Sequence, residues 1–262
     1  MSISSFNIIP GSLESPIIIH VPHAGTVIPV EAEKDILLSR EELFSEVFTM
    51  ADTKTDKIAW AVYEKIETKP KLFINNLSRL VIDPERFPDE REEMNSVGMG
   101  AVYTRTSSND ILRKEDTNRD RHLIAKYFAP YSAALEAEVA ETLDRLGTCI
   151  IIDLHSYGIS PLPYELHKED ARPNICLGTD DIHTPTALLD AAKGSFPNTW
   201  TLAINQPFAG TYVPLKFYGV DSRVQSIMLE IRKDSYGYGE SSTTEFSSCI
   251  TAISKFLEQI YV

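Results

Sequence analysis

The sequence has little cysteine: Cys149, Cys176 and Cys249 are an odd set of three in 262 residues, with no Cys-x-x-Cys spacing. That scarcity excludes a disulfide-stapled scaffold and a thiolate metal cluster, and the apolar stretches around them mark reduced core thiols. Basic residues are also in short supply, with 25 Lys and Arg against 38 Asp and Glu for a formal net charge of −13. Such a balance opposes binding to polyphosphate backbones and anionic lipid, so neither nucleic acid nor a membrane is an expected partner. No apolar run approaches the roughly 20 residues a bilayer span requires. Residues 1–11 lack the basic start and long apolar centre of a signal peptide, which makes the cytoplasm the expected location. No Pro-, Ser- or Gly-rich linker breaks the chain, and residues 1–262 are expected to form a single domain without internal repeats.

What is present is an alternation of two periods. Short β-branched runs at 16–20, 71–75, 149–153, 174–178, 199–205 and 224–230 read as strands. Between them, 53–67, 117–146, 184–193 and 242–260 carry apolar residues every three or four positions and read as helices. Thr53 and Asp56 have the spacing of a helix-starting capping box, and Gly147 stops the long helix over 117–146. The alternation predicts an α/β fold, a mainly parallel mixed sheet covered by helices on both faces. Segment 83–110 is polar and aperiodic, longer than most connections, and is expected to serve as a lid or binding loop.

In open α/β sheets ligands bind beyond the carboxyl ends of strands, and here those ends carry His20 and His23, Asn75 and Asn76, Asp153 and His155, Asp180, Asn205 and Glu230. Two histidines after separate strands, His23 and His155, with one carboxylate, match the ligand mix of a catalytic zinc or another divalent metal. Asp52 or Asp56, four apart at the start of a helix, supplies the third ligand, with Asp56 slightly preferred; both also suit helix capping. His20 reaches the same centre only if the chain turns at Pro22, and otherwise supports the site from behind. Asp153 and His155 share one strand face, so Asp153 is placed to accept the second imidazole proton. Glu230 lies in an otherwise apolar strand and is either paired to Arg232 or the general base for a water activated by the metal.

Taken in order, these blocks resemble the N-formylglutamate amidohydrolase family over nearly the whole chain: residues 21–25, 52–56, 78–86, 129–131, 153–156, 177–180, 205–210 and 228–232 carry the similarity. The resemblance implies the phosphorylase/hydrolase-like fold of the zinc carboxypeptidases and aspartoacylases, with a metal-ligand histidine at His155 and a catalytic glutamate at Glu230. The His-x-x-Glu element of those enzymes is missing, so His23 with Asp52 or Asp56 must replace it. Glu85 stands where the family often has Asn before the arginine, and Lys233 directly follows Arg232. The implied reaction is hydrolysis of an N-formyl or N-acyl amino acid, a small anionic molecule. Its developing oxyanion would be met by the metal and Arg79, and its carboxylate by Arg86, with Asn76, Asn205, Gly210 and Arg232 bordering the substrate. Two alternatives share these residues: a metallopeptidase or deacylase acting on peptides or cell-wall fragments, and a catalytically silent ligand-binding homologue.

Overall fold

The expected strands all form, and one more precedes them. In the computed structural model, which describes residues 4–238 and 243–261, they are β1 (Phe6–Ile9), β2 (Ile17–Val21), β3 (Lys71–Asn75), β4 (Cys149–Tyr157), β5 (Ile175–Gly178), β6 (Leu202–Ile204) and β7 (Val224–Arg232). They build one seven-stranded mixed sheet in the order β1-β3-β2-β4-β7-β5-β6. β3, β2, β4 and β7 run parallel, while β1 is antiparallel to β3, and β5 with its parallel neighbour β6 is antiparallel to β7. The helices are α1 (Val30–Glu33), α2 (Arg40–Met50), α3 (Thr55–Lys65), α4 (Thr117–Leu123), α5 (Ala129–Leu146), α6 (Thr186–Lys193) and α7 (Thr244–Gln259). Residue 242, part of the expected last helix, lies outside the described residues. Among the described residues no helix is long and apolar enough to cross a membrane.

Strand alternation divides the core into two layers. Ile17, Ile19, Ile150, Ile152, Leu154, Ile227 and Leu229 face α3, α6 and α7. Ile18, Phe73, Cys149, Ile151 and Val224 face α5 through Tyr131, Leu135, Val139 and Leu143. β4 is buried along its full length, which is why it reads as an unbroken apolar run rather than an alternating one. All three cysteines are buried free thiols, as expected.

Three local expectations are corrected. The helix expected from residue 53 begins at Thr55, because Lys54 occupies the N-cap position in the left-handed region at φ 71°, and the Thr55 hydroxyl donates to the Asp52 carbonyl at 2.8 Å. The single helix expected over 117–146 contains a widened π turn at Ile124–Phe128 between α4 and α5, closed by the Ala129 N–H on the Ile124 carbonyl. Pro130 explains it, since a proline lacks the N–H and its ring crowds the carbonyl four residues back. The third correction is α2, which forms where no helix was expected. Its signal was present: Ser39 and Glu42 make a reciprocal capping box, at 3.3 Å and 2.8 Å, ahead of the stripe Leu43, Val47 and Met50. That stripe packs on Leu80, Met94, Met99, Tyr103 and Leu112. Segment 83–110 is therefore anchored by its own small core, and its first residues line the cleft described below.

Ile152, fully buried in the central strand, tests the layer assignment. Ile152→Ala should cost about 2–5 kcal/mol of unfolding free energy by denaturant titration, whereas Leu13→Ala, at 72% exposed, should stay within about 0.5 kcal/mol. Equal effects at the two positions would contradict the fold.

Candidate metal centre

The strand alternation that packs α5 also builds the site. On that face, the apolar positions at the start of each central strand give way to polar ones near its carboxyl end: Ile18 to His20 in β2, Ile151 to Asp153 and His155 in β4, Val224 to Glu230 in β7. Register pairs His20 with Asp153 and His155 with Glu230, so four side chains meet across three adjacent strands. Past β2 the chain turns at Pro22, whose carbonyl accepts from the Asn75 side chain at 2.8 Å, and presents His23 to the same spot. Gly25 completes that turn against the next strand, where an added Cβ would lie 2.4 Å from the Leu77 carbonyl oxygen. Asp52, just beyond α2, is tied to the turn by its N–H on the His23 carbonyl at 3.0 Å.

The result is a triangle of ligand atoms. His23 Nδ1 lies 3.2 Å from His155 Nδ1, His155 Nδ1 lies 3.1 Å from Asp52 Oδ2, and His23 Nδ1 lies 3.8 Å from Asp52 Oδ2. Ligands about 2.0–2.1 Å from a tetrahedral zinc stand about 3.3 Å from one another, so the spacing suits such an ion. The outward nitrogens support that reading. His23 Nε2 is 2.9 Å from Asp83 Oδ1, and a proton held there leaves the Nδ1 lone pair facing the triangle. Asp83 is itself bound by Arg79 Nη2 at 2.7 Å and the Tyr103 hydroxyl at 2.5 Å. The Ser156 N–H donates to Asp52 Oδ2 at 3.1 Å. His155 Nε2 lies 3.1 Å from Asp153 Oδ1 and 3.3 Å from Glu85 Oε2, neither contact aligned as a hydrogen bond.

Burial and charge set the proton affinities. Burial opposes the Asp52 carboxylate, but the His155 hydrogen bond and the charges of both histidines and Arg79 outweigh it and hold the group down to about 2. Burial, then the Arg79 charge, lowers His23 to about 4, which favours the neutral imidazole that metal coordination uses. Glu230 is pushed up to about 8, chiefly by burial, and its Oε2 is buried without a hydrogen-bond partner. A cavity of about 560 Å³ opens over the triangle, lined by His23, Asp52, Arg79, Arg86, His155 and Glu230 among others.

The remaining expectations divide. Asp56 is not in the cluster: it sits half-buried in the first turn of α3, and the turn at Lys54 sends Asp52 inward instead. His20 supports from behind, its Nδ1 2.9 Å from Asp153 Oδ1 and its Nε2 2.6 Å from the Tyr131 hydroxyl, so both ring nitrogens are already engaged. Asp153 thus hydrogen-bonds His20, not His155, and its other oxygen accepts from the Tyr212 N–H at 3.1 Å. Arg86 lines the cavity with loose ion pairs of 3.6 Å to Asp83 and to Glu92. Asn76 does not reach the cavity; its side chain binds Asn7 and the Ser4 carbonyl at the sheet edge. Asn205 is likewise not among the cavity-lining residues: β5 runs against β7 and ends at Gly178 beside Met228, midway along β7, and the Asn205 side chain closes the turn through Thr179 and Gly210. Gly210 does line the cavity; a Cβ there would meet nothing within 4 Å, and it is the φ of +85° that favours glycine. Arg232 pairs with Asp234 at 2.7 Å and with the Arg172 carbonyl, away from both Glu230 and the cavity.

Sequence reasoning missed Asp83 and Tyr103 as parts of the site, and Tyr131 as the partner of His20. Asp83 had a signal, since it stands four residues after Arg79 and three before Arg86; Tyr131 lies in the 129–131 block that carries the resemblance, but only folding brings it to His20, and Tyr103 had no signal.

An α/β sheet whose central parallel strands deliver two histidines, an aspartate and a glutamate to one cleft defines a protein with a candidate metal-dependent hydrolytic site. More narrowly, the chain belongs to the N-formylglutamate amidohydrolase family, whose model matches residues 15–237. It is similar to the crystal structure of an N-formylglutamate amidohydrolase from Ralstonia eutropha JMP134, with a TM-score of 0.79 and 21% identity over 99% of this chain and 98% of that one. A gene product from Agrobacterium tumefaciens superposes with a TM-score of 0.68 at 18% identity, over 98% of this chain and 93% of that one. A metallo-carboxypeptidase from Burkholderia cenocepacia aligns at 16% identity over 94% of this chain and 56% of that one, with a TM-score of 0.34, too low to carry an argument. No curated protein matches the sequence.

The triangle separates the two aspartates experimentally. In equilibrium dialysis against zinc, Asp52→Ala should lose binding and Asp56→Ala should retain it; the reverse pattern would reject the geometry.

Proposed function

We propose that this protein is a metal-dependent amidohydrolase that cleaves the amide bond of a small N-formyl or N-acyl amino acid, with N-formylglutamate the first candidate substrate. His23, Asp52 and His155 would hold zinc or another divalent ion. The observation that carries the reading is the triangle of their ligand atoms, 3.1–3.8 Å on a side, beside the buried carboxyl of Glu230. A bound zinc would supply Lewis acidity, polarising the scissile carbonyl and making water easier to deprotonate.

The protein's own groups would do the rest. Glu230, raised to about 8 chiefly by burial, has the proton affinity of a general base working near neutrality: it would take a proton from the attacking water and return it to the leaving amine. Arg79 is held by Tyr103 at its Nε and by Asp83 at its Nη2, which fixes the guanidinium beside the cavity while its Nη1 stays outside those two bonds. That group would meet the charge that develops on the carbonyl oxygen. Arg86, paired only at 3.6 Å, would take the substrate carboxylate, since a loosely held guanidinium can exchange partners at low cost.

A second reading is favoured by the size of the cavity. At about 560 Å³ it lies within the range that holds drug-sized ligands, with room beyond a single formylated amino acid. An N-acyl amino acid with a longer acyl group, or a short peptide, would fill it.

Release of free amine from a panel of N-formyl, longer N-acyl and dipeptide substrates tests both readings, and the absence of turnover with every member in zinc-loaded protein would leave the silent homologue. For the preferred substrate, Glu230→Gln should lower kcat by about 10²–10⁴-fold, the range for loss of a general base, with zinc content unchanged. Arg86→Ala should mainly raise KM, by about 10- to 100-fold, as expected for a lost charged hydrogen bond of roughly 1.5–3 kcal/mol. A Glu230→Gln variant as active as the wild type would remove the proposed base.

A further inference from the structure

We infer that Arg172 is a positioning residue that clamps the loop between β4 and β5 into an apolar wall of the cavity, a subsite for an apolar group of the substrate away from the scissile amide. The inference deepens the amidohydrolase reading above and rests on it. Residues 158–174 carry neither helix nor strand, yet Leu162, Tyr164 and Leu166 of this loop line the cavity together with Tyr157 and Phe208. That stretch of lining is apolar and aromatic, in contrast to the ionic residues around the ligand triangle. Glu165 and the exposed His167 also border the cavity, but both oxygens of Glu165 are taken by Arg172.

One guanidinium ties the start, middle and end of the loop. Arg172 Nε donates to the Gly158 carbonyl at 3.0 Å, while Nη1 and Nη2 donate to the two oxygens of Glu165 at 2.6 Å and 3.3 Å. Glu165 Oε1 in turn accepts from the Leu162 N–H at 2.9 Å. The same guanidinium lies 4.8 Å from the centre of the Tyr157 ring and 5.7 Å from that of Phe208, and the two rings meet edge to face at 5.4 Å. The Arg172 and Glu165 side chains are only 8% and 7% exposed. Burying such a pair adds little net stability, so its consequence is geometric: the planar fork fixes the carboxylate from two directions and seats both rings. The foot of the loop is held as well, because the Arg172 carbonyl accepts from Arg232 Nη1 and the Pro173 carbonyl from the Tyr157 hydroxyl. Leu162 and Tyr164 pack on the small core beside α2, whereas Leu166 lines the cavity while 47% exposed. A half-exposed leucine and aromatic rings along one part of a cavity gain free energy by covering an apolar group. The acyl chain and the amino-acid side chain are its two possible sources.

Steady-state kinetics of the zinc-loaded full chain on N-formylglutamate, N-benzoylglutamate and N-formylphenylalanine test this. The second substrate carries the apolar group on the acyl side and the third on the side chain, so the one preferred identifies the source. Wild type should show a KM about 10- to 100-fold lower for at least one of them than for N-formylglutamate, the gain from burying one aromatic group. Arg172→Lys keeps the charge and loses the fork; its KM for the preferred substrate should rise with little change in kcat, narrowing the preference about tenfold. Leu166→Asp, at a half-exposed position, should narrow it likewise and carries the comparison if Arg172→Lys does not fold. A wild type that favours neither apolar substrate overturns the inference. So does a wild-type preference in the folded variants, or a fall in kcat on all three substrates alike with the preference intact. A wild type that turns over none of the three, nor any member of the panel above, overturns instead the amidohydrolase reading on which this one stands.

Discussion

Two imidazole nitrogens 3.2 Å apart in a buried cleft would repel one another with both lone pairs directed inward, so a proton or another positive group must stand between them. The carboxylate of Asp52, 3.1 Å from one and 3.8 Å from the other, adds to the negative potential at that point. Around this concentration of acceptors the local structure is arranged: Asp83 holds His23 from outside, Arg79 and Tyr103 hold Asp83, and Asp153 joins His20 to the Tyr212 backbone. A proton or a metal cation is the group such a site accepts, and separations of 3.1–3.8 Å suit either.

Positioning at this level requires rigid supports, and the fold provides them by placing these side chains next to fully buried strand positions. Ile151 and Cys149 fill the layer against α5 two and four residues before Asp153, so the backbone of β4 has no freedom to drift where it turns polar. Asp52 is held differently. It follows α2, and α2 is seated by its own stripe on Leu80, Met94 and Tyr103, the last of which also hydrogen-bonds Asp83. The small core that anchors segment 83–110 thus supports two sides of the cleft at once: the carboxylate in front of the histidines and the carboxylate behind His23.

The fold was legible wherever a pattern repeats locally. Six strands and four helical regions follow from apolar periodicity, because a strand or an amphipathic helix buries a face whose spacing is set by its own geometry. α2 was legible in principle, through Ser39 and Glu42, but its stripe is short and its outer face carries the exposed Phe44 and Phe48, which blurs the helical period. β1 carries only four residues at the sheet edge, too few for a period to show. Among site residues, His23, His155 and Glu230 stand at the ends of recognisable strands, and the structure brings them to one cleft. Asn205 looked equivalent and is not, because strand direction cannot be read from a strand's own composition: β5 and β6 run the other way, and β5 ends beside the middle of β7.

What the chain determined on its own is which residue types reach the ends of strands and which faces are apolar, since both follow from side-chain chemistry and the two backbone periods. Which of Asp52 and Asp56 lies beside the two histidines, the pairing of Asp153 with His20 instead of His155, and the reach of Glu85 to three histidines were decided only in three dimensions. Those outcomes depend on a left-handed residue at Lys54, on register between β2 and β4, and on contacts between segments 60 or more positions apart. Local sequence carries no information about distances across such separations; packing sets them.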